Sequence, residues 1–152
     1  MWASEILAGK QVYLDANVFI YAFEASHSMQ FSSRELASIF QMIAADQVSA
    51  RTSALTRAEV LVHPLRHGLK NLEADYRLLF NGSQGIAVDA ITDAVLDQAV
   101  QLRATLNLKL ADAIHVASAI TSGCDCLISA NEGLLRCSEN LEILPLAALT
   151  GS

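Results

Sequence analysis

"VYLDANVFIYAFE", Val12 to Glu24, places a carboxylate, Asp15, directly after a short apolar run, with Asn17 two positions later and apolar residues resuming beyond it. The run reads as a strand over Gln11 to Leu14. A carboxylate at the end of a buried strand must be solvated, paired or bound to a cation, because an isolated buried charge is too costly to keep. The partners of Asp15 therefore have to come from the rest of the chain.

Further short strands are predicted at Val48–Thr52, Ile86–Val88, Cys126–Ser129 and Glu142–Leu144. Between them lie helical patterns. Ser32 to Asp46 opens with a capping box, Ser32 with Glu35, and carries the stripe Leu36, Ile39, Phe40 and Ile43. A helix from about Ala54 is expected to stop near Pro64, and another runs from Gly68 to Phe80 before Asn81-Gly82. Thr92 to Leu106 and Leu110 to Ser122 complete the set, the second closed by Gly123, with a short helical turn at Glu132–Arg136. Such alternation predicts an α/β fold: a single domain over residues 1–152, with a mainly parallel sheet of about five strands flanked by helices.

Composition narrows the function classes. At 152 residues the chain fits one domain, and 53% hydrophobic against 17% charged residues describes a globular protein rather than a disordered one. No run reaches the roughly 18 apolar residues of a membrane span, so no membrane partner is expected. The net charge of −6 argues against a protein that coats nucleic acid. Yet Arg51, Arg57, Arg66, Lys70 and Arg77 fall in one stretch, which is either a basic face able to meet phosphate, with Arg57, Arg66 and Lys70 as the substrate-binding set, or an ordinary solvated surface. The odd cysteine count, Cys124, Cys126 and Cys137, together with the absence of a secretory-type opening, points to buried thiols and a cytoplasmic location. The Cys124-x-Cys126 pair lacks the further ligands that a structural zinc site needs.

In open parallel sheets, ligands bind beyond the carboxyl ends of the strands. The first strand delivers Asp15 and Asn17 there, the second Ser53, Thr56 and Glu59, and the fourth Ser129, Asn131 and Glu132; Asp112 joins them from the start of its helix. Each has a plainer reading. Asp15 could cap the turn after its strand, and Thr56-x-x-Glu59 is itself a capping-box pattern, although Ser53 is the better cap and would leave Glu59 in the second turn. Asp112 gains from the helix dipole in any case. His115 shares its side of the helix and reads as a packing residue, while His27, His63 and His67 lack a carboxylate or Cys at metal spacing. Three carboxylates converging without a cationic partner would repel one another, and a divalent metal is the usual remedy.

"VYLDANVFIYAFE", "TSALTRAEV", "LKLADAIHVASA" and "CLISANEGL" together resemble the PIN domain family, in particular its small members of the VapC toxin type. The resemblance covers nearly the whole chain. It implies a ribonuclease dependent on Mg²⁺ or Mn²⁺ that leaves a 5′-phosphate and a 3′-hydroxyl, with RNA as substrate, a small antitoxin as partner and a homodimer as assembly. It makes Asp15, Glu59 and Asp112 the catalytic acids and metal ligands, with Asn131 as a further ligand and Asn17, Ser129 and Glu132 in support. The chain departs from the pattern at Asn131, where many relatives have Asp; the metal count is open there, and the alternative is a PIN-like module that binds RNA or protein without cutting. A haloacid-dehalogenase-like phosphatase is a poor match, because it needs a second Asp where Asn17 stands.

Overall fold

The computed structural model describes residues 3–24 and 33–149. Five strands, β1 (Gln11–Leu14), β2 (Ser49–Ser53), β3 (Ile86–Asp89), β4 (Cys126–Ser129) and β5 (Glu142–Pro145), form one parallel sheet in the order β3-β2-β1-β4-β5. The helices are α1 (Ala3–Leu7), α2 (Ala16–Phe23), α3 (Ser33–Ala44), α4 (Ala54–His67), α5 (Lys70–Leu79), α6 (Asp93–Leu106), α7 (Leu110–Thr121) and α8 (Leu146–Leu149), with a 3-10 helix over Glu132–Cys137.

Successive side chains on a strand point to opposite faces, and the core divides accordingly. Val12, Leu14, Cys126 and Ile128 pack on one face with Phe19, Leu36, Ile39, Val60 and Tyr76, from α2 to α5. Tyr13 and Leu127 pack on the other with Val95, Ala99 and Leu102 of α6 and the small residues Ala113, Ala117 and Ala119 of α7. Burial on both faces is why these strands read as continuous apolar runs. The chain steps outward from β1 to β2 and β3 with its helices on the first face, then returns to β4 and β5 on the opposite side of β1. Right-handed crossovers require the helices to change face when the direction of travel reverses, and they do. The reversal makes the carboxyl ends of β1 and β4 a topological switch point, the place where parallel sheets open a ligand crevice.

Several expectations change. The helix after β2 passes Pro64 and ends only at Gly68, whose φ of 65° supplies the left-handed stop, with the Leu69 N–H donating to the Pro64 carbonyl at 2.9 Å. Proline near the end of a helix forfeits one backbone bond without a further turn to disrupt. Helices α1, α2 and α8 add to the elements that the sequence pattern predicts, and the Ser32–Glu35 capping box lies outside the described residues. The three cysteines are free and buried, as expected; burial pushes the Cys126 thiol up to about 12. Among the described residues no helix is long and apolar enough to cross a membrane.

Candidate functional site

Asp15 ends β1 and caps α2, so one side chain serves both elements. Its Oδ1 accepts from the Asn17 and Val18 backbone N–H groups at 3.1 and 3.4 Å, and its Oδ2 accepts from the Ser129 hydroxyl at the end of β4. Ser129 Oγ accepts in turn from the Asn131 N–H at 2.9 Å. The two strands that flank the switch point are thereby joined through one carboxylate. Asp15 is only 5% exposed, and burial raises its pKa to about 6 although the Ser129 bond opposes the shift. Asn17 supports Asp15 through its backbone.

Glu59 lies in the second turn of α4, and the capping box read at Thr56–Glu59 does not form there. Ser53 holds the N-cap position of this helix but makes no side-chain cap bond. Both residues bond elsewhere. Glu59 Oε1 lies 2.6 Å from His115 Nε2; His115 Nδ1 lies 2.8 Å from Tyr13 Oη, which lies 2.8 Å from Ser53 Oγ. A carboxylate can only accept, so His115 donates from Nε2; in the neutral imidazole Nδ1 then accepts from Tyr13, whose oxygen is left to accept from Ser53. Burial keeps the Tyr13 phenol protonated by pushing it up to about 12, which suits its donor role. His115 is buried as a packing residue would be, and it also orients Glu59. No local pattern announces this, because the pair is 56 positions apart.

Asp112 sits in the first turn of α7, where Oδ2 faces the Asn131 amide nitrogen at 3.4 Å. Asn131 caps the 3-10 helix, its Oδ1 accepting from the Gly133 N–H at 2.9 Å. In this arrangement the Asn131 oxygen serves its own turn and the amide N–H₂ is turned toward Asp112. A side chain on Gly133 would bring a Cβ to 3.0 Å from that oxygen, so the Asn131 side chain would have to give by a few tenths of an ångström to admit one. Glu132 is exposed at the start of the same helix, and no hydrogen bond joins it to the three acids among the described residues.

The PIN domain family model matches residues 12–140, a span that contains Asp15, Glu59, Asp112 and Ser129 in the order just described. The chain belongs to the PIN domain family. Solved structures with the same fold include a toxin–antitoxin complex from Klebsiella pneumoniae (23% identity, TM-score 0.62, 81% of this chain and 89% of that one). VapBC2 from Rickettsia felis bound to a DNA fragment from its promoter is also similar (15%, 0.70, 89% and 98%), as is Mycobacterium tuberculosis VapC20, described as a sarcin–ricin loop cleaving toxin (15%, 0.58, 76% and 86%). No curated protein matches the chain.

Carboxylate oxygens are the donors that a hard divalent cation takes, and in this PIN domain Glu59 Oε2 and Asp112 Oδ1 accept no hydrogen bond among the described residues. The donor set fits such an ion, although among the described residues no three His, Cys, Asp or Glu side chains stand close enough together to grip one as placed. The basic stretch divides in two. Arg51 makes a two-point contact with Asp89 at 3.0 and 2.5 Å, and Arg77 pairs with Glu73 at 2.9 Å, so neither is a free phosphate ligand. Arg66 follows Glu59 by seven positions, close to two helical turns, and shares its side of α4, with Lys70 just beyond; Arg57 is about 200° around the helix from Glu59. Of the histidines given no role, His63 does meet a carboxylate, with Nε2 lying 3.8 Å from Glu24 Oε1, a partner 39 positions away in the chain. His27 lies outside the described residues.

Proposed function

We propose that this PIN domain is an endoribonuclease, hydrolysing RNA phosphodiester bonds with Mg²⁺ or Mn²⁺ held by Asp15, Glu59 and Asp112, and that it is the toxin of a toxin–antitoxin pair. The observation that carries the reading is the buried Asp15 carboxylate at the switch point, which takes bonds from the start of α2 and from the end of β4 and is linked through Ser129 and Asn131 to Asp112. Asp15, Glu59 and Asp112 would hold the divalent ion, which would supply positive charge to the buried Asp15, an activated water and compensation for charge on the departing oxygen. The chain's own residues orient the acids. Ser129 and two backbone N–H groups fix Asp15, the Tyr13–His115 pair fixes Glu59, and Asn131 turns Asp112. No Ser or Cys nucleophile beside an activating base is required, since water is the nucleophile.

RNA as the substrate is supported by the likeness to a toxin described as cleaving the sarcin–ricin loop. A small antitoxin is supported by the toxin–antitoxin complexes among the structural relatives. The test is cleavage of a mixed RNA pool with Mg²⁺, with Mn²⁺ and with chelator. Metal-dependent cleavage that is lost in Asp15→Asn, Glu59→Gln and Asp112→Asn, each still folded by circular dichroism, is the expected result; full cleavage by any one of them removes that residue from the site.

A second reading, a PIN module that binds without cutting, is favoured by one observation, the Asn131 N–H₂ directed at Asp112 where the sequence predicts a metal ligand. Titration calorimetry with Mn²⁺ separates the two. A purified chain that binds RNA but no divalent ion is the module.

A further inference from the structure

Beside the acids lies a pocket of about 210 Å³ lined by Asn107, Leu108, Lys109, Asp112, Asn131, Gly133 and Arg136. Asp112 and Asn131 form its border with the candidate metal site, whereas Lys109 and Arg136 bring two positive charges that face a single carboxylate. Lys109 stands at the N-cap of α7 and is exposed, with no ion pair among the described residues. Arg136 is held by two backbone carbonyls, Nε donating to Gly133 at 3.0 Å and Nη1 to Leu106 at 3.3 Å. Carbonyls position a guanidinium without neutralising it, so its charge is available to a ligand, and among the described residues Arg136 likewise has no ion pair. A guanidinium held in place, an exposed ammonium lining the same pocket and a helix start without a side-chain cap bond make an anion site. Its volume is below the roughly 300 Å³ at which pockets for drug-sized ligands begin, which suits a phosphate with part of its sugar and not a whole nucleotide.

We infer that Lys109 and Arg136 bind a backbone phosphate of the RNA next to the scissile one, so that the strand is gripped on the α7 side of the acids. The inference rests on the reading of the site as a ribonuclease centre. A phosphate seated there places its neighbour against Asp112, and the contact is to backbone alone, so it carries no base preference.

The test uses Lys109→Ala, Arg136→Ala and the double variant with a short fluorescent single-stranded RNA, measuring both cleavage and binding by anisotropy across a salt series. Lys109 makes no structural bond among the described residues, so its variant stays informative if loss of the Arg136 carbonyl contacts disturbs folding; Arg136→Lys then keeps the charge. The expected outcome for the double variant is a KM and Kd raised by about tenfold. Its kcat should stay within about twofold, and the log–log salt slope should be shallower by about 0.7, the share of one single-strand phosphate. Unchanged Kd and salt slope in the folded Lys109→Ala and double variants overturn the inference. A wild-type chain that never cuts RNA with metal overturns the ribonuclease reading instead, and the binding measurements still decide whether this pocket holds phosphate.

Discussion

Asp15 is stabilised by hydrogen bonds and destabilised by burial, and burial wins, since its pKa lies near 6 against an ordinary 3.8. A folded-state pKa above the unfolded one contributes stability that is complete below pH 3.8 and lost as the pH rises through 6. In metal-free protein, Asp15→Asn can keep the α2 cap and the Ser129 contact without the charge. It should gain up to about 3 kcal/mol over wild type at pH 7 and nothing near pH 4, by urea unfolding in chelator. A difference that is uniform across this range would point to cap geometry instead of ionisation. His115 offers a complementary case. His115→Ala strips Glu59 and Tyr13 of their shared partner, and the buried phenol loses its acceptor; a loss of about 2–3 kcal/mol is expected together with a fall in kcat at little-changed KM. An Ala variant with wild-type kcat would reduce His115 to packing.

At the scale of elements, the sheet is the most legible part. β1 and β4 fall at their predicted residues because central parallel strands must be apolar on both faces, a pattern that needs no context. Helix α2 is hard to read because Asp15 suits a turn cap equally well, and the apolar residues after it suit a strand as well as a buried helix. The end of α4 lies beyond its predicted stop because the glycine four positions after the proline is what ends the helix. Gly68 adopts φ 65°, and a Cβ added there would meet nothing within 4 Å, so its role is purely conformational. Gly68→Ala should therefore cost about 1 kcal/mol in urea unfolding, with Gly68→Asn costing less. A larger loss in the Ala variant would mean that a steric contact matters there.

Across the whole molecule, the sign of the net charge says little about where phosphate can bind, because charges cancel locally. Arg51 and Arg77 are held by Asp89 and Glu73, while Arg66 lies in the last turn of α4 and Lys70 opens α5, and neither lines the Lys109–Arg136 pocket. Removing Arg66 and Lys70 together should weaken RNA binding and flatten its salt dependence by about 0.7 per lost phosphate contact, whereas Arg77→Ala should leave both unchanged. Equal effects from the two variants would show that only the overall charge counts.

The sequence by itself determined the α/β alternation, the single parallel sheet and the residues brought to its carboxyl edge, because side-chain periodicity and helix caps are local properties of a chain. The strand order, the switch point at β1 and β4, and the partners of each acid were decided only by the tertiary structure. Glu59 meets His115 across 56 positions, the Ser53 hydroxyl meets Tyr13 across 40, and Arg51 finds Asp89 across 38. No short window of sequence holds both ends of such a bond. The register of strands and the close approach of a small-residue helix bring them within reach, and a hydrogen bond exists only at that range.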